Sequence, residues 1–280
     1  MTPVSPEGRA ALEAALAACP AHETMFLTAN LRDHGLRAAD AEGRHPNATA
    51  FWGAGGFALG LTRRGMLLPA GGPLPPAGAL AAALRGRTVT GAAGPAALVR
   101  PLLATLGLAG RPATLDDDEP QFLLDLADLR VPDGPGTLVP AAAHAEIALD
   151  WRHAYETELH PPATRWEGAG RPDWIEDDAF RLLVEDDRPL AMTGLNARLP
   201  DIVQVGGVYT PPAARGRGLA RRAVALHLAQ QRAAGVARAT LFAASEAAVA
   251  CYRPLGFRPI GTFALILWAA PAEVAPCAAP

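Results

Sequence analysis

The stretch that decides the fold of this chain is Pro212-Ala-Ala-Arg-Gly-Arg-Gly-Leu-Ala-Arg-Arg222, a glycine-punctuated turn between a strand-like run and an Ala/Leu-rich helix. Glycine adopts backbone conformations that let successive amides turn toward one point. The first N–H groups of the helix have no partner within it, and the helix dipole is positive at that end. The pattern therefore predicts a binding site for an anionic group such as a phosphate.

The rest of the C-terminal half alternates helical and strand-like runs around this turn. Hydrophobic periodicity and turn residues give the following elements. We predict a helix over 145–159, strands over 180–185, 190–197 and 202–209, a helix over 216–234, a strand over 239–243, a short helix over 246–254 and a strand over 262–268. The short helix and its exit carry the run Cys251-Tyr-Arg-Pro-Leu-Gly-Phe257.

This order of elements, together with its two motifs, resembles the GNAT superfamily of N-acetyltransferases over about residues 140–270. The phosphate signature of that family is Gln or Arg, two residues, Gly, one residue, then Gly or Ala, and here Arg215, Gly218 and Ala220 fill those positions. Tyr252 with Leu255-Gly-Phe257 looks like the tyrosine and the closing motif of the family. The resemblance implies an α/β (α+β) fold with a mixed, mostly antiparallel central sheet flanked by helices.

The N-terminal half is expected to form a second domain, because 280 residues are long for one compact unit. The Pro- and Gly-rich run Val131–Thr137 is the best linker candidate, which gives domains over 1–132 and 138–280. The motif Gly207-Val-Tyr-Thr-Pro-Pro212 is similar to that of a two-domain subgroup of predicted acetyltransferases. In that subgroup the first half is a degenerate copy of the same fold. An unrelated α/β domain is the alternative.

Residues 1–132 do have an analogous order of elements. We predict helices over 5–18 and 24–38, paired strands over 50–68, a helix over 79–85, a strand over 88–92 and a helix over 95–106. The run Thr90-Gly-Ala-Ala-Gly-Pro95 lacks both the arginine and the close glycine pair, so we expect no coenzyme there. Gly53, Gly55 and Ala58 match a dinucleotide-binding pattern, but the strand-like continuation favours a glycine-rich hairpin.

The resemblance implies that acetyl-coenzyme A is the co-substrate. Amides from Arg215 to Ala220 would hold its pyrophosphate, and Val208–Thr210 would pair with its pantetheine arm like an extra strand. Ser245 stands where the family commonly has an asparagine that holds pantetheine. The residues predicted to bind the coenzyme are Val208, Tyr209, Thr210, Arg215, Gly216, Arg217, Gly218, Leu219, Ala220 and Ser245.

Acyl transfer to an amine requires a neutral nucleophile, and an alkylamine with a pKa of about 10.4 must first lose a proton. Related enzymes often use a carboxylate on the strand before the phosphate turn, but Ile202–Tyr209 contains no acid. Asp201, Glu146, Glu156, Glu158 and a water relay through Gln204 remain alternatives. The family tyrosine, Tyr252, is predicted to donate a proton to the departing thiolate, and its alternative role is packing beside Leu255 and Phe257.

Composition argues against a nucleic-acid-binding protein and a membrane-spanning protein. The formal net charge of −3 gives no basic face for nucleic acid, and all 25 basic residues are arginine. No apolar run approaches the roughly 18 residues of a membrane span, so a soluble chain is expected. Three isolated cysteines fit the reducing cytoplasm. Cys251 is expected to be a buried small residue, and no metal is expected at His153, Glu156 and His160.

The predicted function is the direct transfer of an acetyl group from acetyl-coenzyme A to a small-molecule or peptide amine. Trp151, Tyr155 and Trp166 are predicted to line the acceptor site or, equally, to pack in the core. A non-catalytic coenzyme-A-binding regulatory or interaction module and a transferase of a larger acyl group are the alternatives. No nucleic acid or membrane partner is expected, and the sequence leaves a homodimer open.

Overall fold

The computed structural model describes residues 1–36, 45–159, 172–176 and 178–274. Contacts divide the chain into two units, one formed by Met1–Glu119 with Gly261–Pro280 and the other by Pro120–Ile260. Among the described residues, no helix combines the length and the apolar character needed to cross a membrane.

Helices and strands alternate along both units. The elements of the first half are β1 (Thr2–Pro3), α1 (Arg9–Ala17), α2 (Ala21–His34), β2 (Thr49–Ala54), β3 (Phe57–Thr62), β4 (Met66–Gly71), α3 (Ala77–Leu84), β5 (Thr88–Pro95), α4 (Ala96–Thr105) and β6 (Ala113–Asp125). Those of the second half are β7 (Thr137–Pro140), α5 (Ala145–Leu159), α6 (Asp173–Glu176), β8 (Phe180–Glu185), β9 (Arg188–Arg198), β10 (Ile202–Tyr209), α7 (Leu219–Ala233), β11 (Arg238–Phe242), α8 (Glu246–Tyr252) and β12 (Arg258–Glu273).

Each unit contains a mixed, mostly antiparallel set of strands, as the sequence predicts. In the first unit the strand order is β1-β2-β3-β4-β5-β12, and only β4 and β5 are parallel. In the second unit the order is β6-β11-β10-β9-β8-β7, and only β10 and β11 are parallel. The parallel pair is joined by one helix in each unit, α3 in the first and α7 in the second.

Two helices cover opposite faces of the strands in the second unit. Leu182 packs in one buried cluster with Ala145 and Ala148 of α5, whereas its neighbour Leu183 packs in another cluster with Ala223 of α7. Successive side chains of a strand point to opposite faces, so α5 and α7 lie on opposite sides of β8. The side chains near α5 and those near α7 therefore form two separate environments.

The contacts divide the chain at different places from the predicted boundary of residues 132–138. Gln121–Asp125 of β6 pair with β11 in the second unit, and Phe263–Leu267 of β12 pair with β5 in the first. Composition identifies a proline- and glycine-rich connection, but strand pairing decides which residues belong together. The sequence analysis also missed β6, because the acidic run Asp116–Glu119 conceals its extended conformation.

Two local predictions can be compared directly with the structure. The helix predicted over 216–234 begins at Leu219, because Gly216 and Gly218 both have positive φ and cannot continue a right-handed helix. The hairpin predicted around Gly55 is confirmed: β2 and β3 pair antiparallel across a turn at Gly55 and Gly56.

Candidate active site

The turn between β10 and α7 has the conformation of an anion-binding loop. Gly216 has φ of 77° and Gly218 has φ of 75°, in the left-handed region that side chains rarely adopt. A Cβ at either position would meet no atom within 4 Å, so the space above both glycines is open. The turn is therefore accessible to a ligand that is larger than a water molecule.

The start of α7 offers unused hydrogen-bond donors. Gly218 is its N-cap and provides no side chain to accept from the helix, and the first turn contains no acidic residue. The amides of residues 216–221 donate to no backbone carbonyl of the described residues. These amides and the positive end of the helix dipole together favour an anionic oxygen at this position.

Beside this turn, β10 separates from its parallel neighbour. Its ladder with β11 ends at the pair Gln204 and Thr240, and beyond this point Val205, Gly206 and Tyr209 pair with β9. We call residues 205–209 the open edge of β10. Gly207, with φ of 60°, lies where the register with β9 shifts, which marks a bulge in the open edge. An extended polar ligand could pair along this edge as an added strand.

The structure places the predicted pantetheine residues on the open edge and just beyond it. Tyr209 is buried, and Val208 and Thr210 are half-buried. The Thr210 hydroxyl oxygen is buried and has no hydrogen-bond partner among the described residues. Burial raises the pKa of the Tyr209 phenol, and the nearby Glu158 carboxylate adds to this. An unpartnered buried hydroxyl beside the turn fits a polar ligand.

Arg215 makes contacts that the sequence did not predict. Its Nη2 donates to both carboxylate oxygens of Glu158 at 2.8 Å, and its Nε donates to the Thr210 carbonyl at 2.9 Å. Its guanidinium carbon lies 5.7 Å from the ring centroid of Tyr209. The backbone amide of Arg215 donates to the Pro212 carbonyl at 3.3 Å. In this conformation, Arg215 braces the turn against α5, and the available amides begin at Gly216.

The other residues of the turn that were predicted to bind the coenzyme differ in how far their side chains are exposed to solvent. Arg217 is exposed, Ala220 is half-buried and the Leu219 side chain is buried against Leu183 and Ala191. Leu219 anchors the first turn of α7, so only its amide faces the loop. Of the two arginines that follow, Arg222 is not a solvated side chain, because it donates to carbonyls of the proline- and glycine-rich segment at Pro132, Pro135 and Gly136.

Ser245 and Tyr252 lie at the two ends of α8. The Ser245 hydroxyl accepts from the Ala248 amide at 3.2 Å and so caps the helix, which leaves its hydrogen to donate to a ligand. Tyr252 is 7% exposed and packs edge to face with Phe257 at 6.0 Å between ring centroids. The buried cluster that contains Tyr252 also contains Val205, and Val208 packs against that cluster.

The candidate bases are distributed over different parts of the second unit. Asp201 pairs with Arg238, beside the Ile202 end of β10 and away from the open edge. Glu156 accepts from Arg152 at 2.6 Å, and Glu158 pairs with Arg215 at the turn before α7. Glu146 lies in the first turn of α5. No acidic residue lies in the open edge itself.

Gln204 is the buried polar side chain next to the start of the open edge. It is 2% exposed, and its Nε2 donates to the Val205 carbonyl at 2.7 Å. Its Oε1 is buried and has no hydrogen-bond partner among the described residues. A buried acceptor of this kind is normally satisfied by water or a ligand, so Gln204 can take part in a hydrogen-bonded relay.

Aromatic side chains from α5 and α6 pack on the same face as the glycine bulge. Trp151 lies 6.0 Å from Tyr209, and Trp174 lies 4.9 Å from Phe180, between ring centroids. A Cβ at Gly207 would lie 2.4 Å from Phe180 Cε1, so only glycine fits between the bulge and this ring. The predicted residue Trp166 lies outside the described residues.

The sequence analysis missed two polar residues at this bulge. Arg152 Nη1 would lie 3.1 Å from a Cβ at Gly207, and Asn196 Nδ2 would lie 1.9 Å from a Cβ at Gly206. The helical spacing of Arg152 with Glu156 was visible, but nothing in the sequence pairs α5 with a glycine about 50 residues later. Only the folded sheet brings these groups together.

The structure also bears on two competing interpretations of individual residues. Burial raises the pKa of the Cys251 thiol to about 11, which suits a packed thiol and not a nucleophile. Within the described residues, no group of three or more potential ligands could hold a metal ion. His160 of the proposed metal alternative lies outside that part of the chain.

Comparisons with known proteins bear on the same region. Residues 145–257 match the model of the acetyltransferase (GNAT) family. No match was found among curated proteins. A solved GCN5-related N-acetyltransferase from Kribbella flavida is 21% identical, with a TM-score of 0.57 over 89% of this chain and 95% of that one.

Two further solved structures are similar over almost the whole length. A Drosophila protein has a TM-score of 0.61 at 15% identity, over 95% of this chain and 97% of its own. A GCN5-related N-acetyltransferase from Sphaerobacter thermophilus has a TM-score of 0.52 at 16% identity, over 93% and 94%. At these identities the likeness shows a shared fold. Residues 145–257, in the C-terminal half, therefore form a domain of the acetyltransferase (GNAT) family.

Proposed function

We propose that the second unit transfers an acetyl group from acetyl-coenzyme A to an amine. The observation that carries this proposal is the glycine turn before α7, where the amides of residues 216–221 donate to no described backbone carbonyl, beside the open edge of β10. A pyrophosphate needs clustered donors without competing acids, and an arm rich in amides needs an unpaired strand edge. The chain supplies both within one continuous stretch.

Each part of the stretch has a separate role in this proposal. Amides from Gly216 to Ala220 hold the pyrophosphate, and Arg217 adds a positive charge in solvent. The open edge, with the unpartnered Thr210 hydroxyl, binds the pantetheine arm. Ser245 can donate from the start of α8. Arg215 supports the turn through Glu158, so we assign it a positioning role.

The chemistry requires two proton transfers. As the amine nitrogen forms its bond to the thioester carbon, a proton leaves nitrogen, and the carbon–sulfur bond breaks to a thiolate that takes up a proton. We propose that the proton from nitrogen leaves through water held by Gln204 Oε1, since the open edge has no carboxylate. We propose that Tyr252 donates to the thiolate, because its cluster borders Val205 and Val208.

The experiment that tests this proposal measures coenzyme A binding by calorimetry for the wild type and Gly218→Glu. The variant places a bulky anion on the N-cap of α7, so we expect binding to become undetectable. Gly235→Glu is the matched control. Gly235 has φ of 94° and open space around it at the other end of α7, so it imposes similar backbone strain without touching the turn. Equal affinity in all three proteins refutes the proposed coenzyme site.

A non-catalytic coenzyme-A-binding module is the second candidate, favoured by the absence of a carboxylate from the open edge. The same purified protein distinguishes the two. Thiol release from acetyl-coenzyme A in the presence of an amine library indicates transfer, whereas tight binding without release from any amine supports the module. Release only with longer acyl thioesters would instead indicate a transferase of a larger acyl group.

A further inference from the structure

We propose that the acceptor amine carries a carboxylate and that Arg152 binds this carboxylate. The inference rests on the proposed transfer activity and names its acceptor class. It is drawn from the position of one guanidinium beside the glycine bulge, and from the hydrogen-bond donors that this guanidinium retains.

The Arg152 guanidinium is held in a fixed plane. Its central carbon lies 5.5 Å from the ring centroid of Tyr155 and 5.4 Å from that of Phe180. Its Nε donates to Glu156 Oε1 at 2.6 Å, one turn along α5. Two aromatic contacts and one charged hydrogen bond restrict the rotation of the side chain. Little conformational entropy therefore remains to be lost when the group binds a ligand.

This guanidinium lies at the bulge of the open edge. Arg152 Nη1 would be 3.1 Å from a Cβ at Gly207, so it lies close to the backbone where β10 changes register with β9. In the proposed function the thioester end of the coenzyme lies along this edge. A small acceptor whose carboxylate binds Arg152 would then hold its amine close to the thioester carbon.

The outer edge of Arg152 remains available. Apart from the bond from Nε, its guanidinium donates no hydrogen bond to the residues that the structure describes, and the side chain is 29% exposed. The two terminal nitrogens carry four N–H groups. Their fork matches the two oxygens of a carboxylate, which gives a stronger and more directional contact than a lysine could.

The other groups around the bulge support an acidic acceptor and not a purely cationic one. Asn196 lies over Gly206 and is neutral, and Gln204 is a neutral amide. Glu156 is the nearest acid in these contacts, and its charge is already balanced by Arg152. A polyamine would find no free carboxylate among these groups, whereas the carboxylate of an amino acid could accept from the terminal N–H groups of Arg152, which donate to no described residue.

The test uses matched acceptors with the full chain. Glycine, β-alanine and 4-aminobenzoate are each compared with their carboxamides, by thiol release at saturating acetyl-coenzyme A. We expect the acids to be preferred, and Arg152→Gln to raise their KM by about tenfold to a hundredfold, the loss expected for a charged hydrogen bond. The KM of the amides and the affinity for coenzyme A should change less than about twofold.

Two further variants separate binding from folding. Arg9→Gln removes an equivalent i,i+4 ion pair with Glu13 in the first unit and should behave as the wild type. Arg152→Lys keeps the charge without the fork and should recover part of the preference. A preference for the amides in the wild type, or an equal loss for acids and amides in Arg152→Gln, would overturn the inference.

A binding measurement covers the case in which no member of the panel is acetylated. Saturation-transfer NMR with the protein–coenzyme A complex reports whether the acids contact the protein. Binding of an acid that Arg152→Gln abolishes supports the inference. Absence of any Arg152-dependent binding refutes it, even if coenzyme A binds normally. Loss of the coenzyme site is recognised separately, by calorimetry with coenzyme A alone.

Discussion

Glycine is required at positions 216 and 218 for its backbone conformation and not for lack of space. Both residues have positive φ, yet a Cβ would meet nothing within 4 Å. At Gly207 the two requirements coincide, because φ is positive and Phe180 lies against the missing side chain. Alanine at 216 or 218 should therefore strain the turn, whereas alanine at 207 should also displace the aromatic ring.

Tyr252 provides a prediction at the same scale. Its ring packs against Phe257, and phenylalanine would keep that packing while removing the hydroxyl. If the phenol protonates the leaving thiolate, Tyr252→Phe should lower kcat by about a hundredfold, within the usual range for a general acid. Coenzyme A affinity should stay within about twofold.

Steady-state kinetics and calorimetry check this prediction. A kcat unchanged in Tyr252→Phe would assign the residue to packing alone. Its burial at 7% exposure makes that outcome a clear alternative.

At the level of elements, the two parallel strand pairs, β4–β5 and β10–β11, differ beyond the point where their hydrogen-bonded ladders end. In the second unit, β10 and β11 pair only as far as Gln204 and Thr240. In the first unit the ladder of β4 and β5 ends at Leu67 and Ala92, but a Cβ at Gly94 would lie 3.3 Å from the Pro69 carbonyl oxygen. Proline cannot donate to the ladder, so pairing ends there although the strands stay in contact.

The turn after β4 is also more closely packed than the turn after β10. A Cβ at Gly71 would lie 2.2 Å from the Gly56 carbonyl oxygen, so the turn after β4 packs against the β2–β3 hairpin. Pro75 and Pro76 precede α3 and carry no N–H. The first unit therefore presents neither an open edge nor a cluster of free amides at the equivalent position.

From this difference we predict one coenzyme A per chain. Calorimetric titration of the full-length wild type should give a stoichiometry of about one, and Gly218→Glu should remove the whole binding signal. Residual saturable binding in Gly218→Glu, with a stoichiometry near one, would place a second site outside the turn before α7.

At the level of the whole molecule, we expect the pH dependence of stability to involve a buried histidine that the proposed chemistry does not use. His227 of α7 is 1% exposed, and neither ring nitrogen has a hydrogen-bond partner among the described residues. Burial lowers the pKa of His227 from 6.5 to about 3, with further lowering by the positive charges of Arg181 and Arg198. The folded unit thus holds this imidazole neutral.

The sign of the resulting pH dependence follows from proton uptake. Between pH 6.5 and about 3 the unfolded chain binds a proton at His227 that the folded chain does not, so the free energy of unfolding falls as the pH falls. We predict that the wild type loses about 2 kcal/mol more than His227→Leu between pH 7 and pH 5. Urea unfolding at several pH values measures this difference.

A matched histidine serves as the control for that measurement. His144 is half-buried beside the exposed Asp187, and His144→Gln should keep the steep pH dependence of the wild type. Parallel pH profiles for the wild type and His227→Leu would show that His227 is not held neutral in the folded unit.

The sequence by itself determined the local elements of the second unit and the glycine-rich turn before α7. Strands 180–185 and 202–209 were predicted with the bounds that the structure gives, because hydrophobic alternation and turn residues act over a few positions. The closely spaced Gly216 and Gly218 indicated an anion site for the same local reason. The order of these elements, with the two motifs, resembles the acetyltransferase family, and that resemblance implied the fold.

Only the tertiary structure decided which distant residues share a unit or a site. Pairing of β6 with β11 and of β12 with β5 sets the two units, and no local pattern encodes such partners. The bond of Arg215 to Glu158 and the position of Arg152 at Gly207 likewise depend on α5 packing beside β10. Packing and strand pairing join residues that are far apart in sequence, and these contacts decide which charges surround the site.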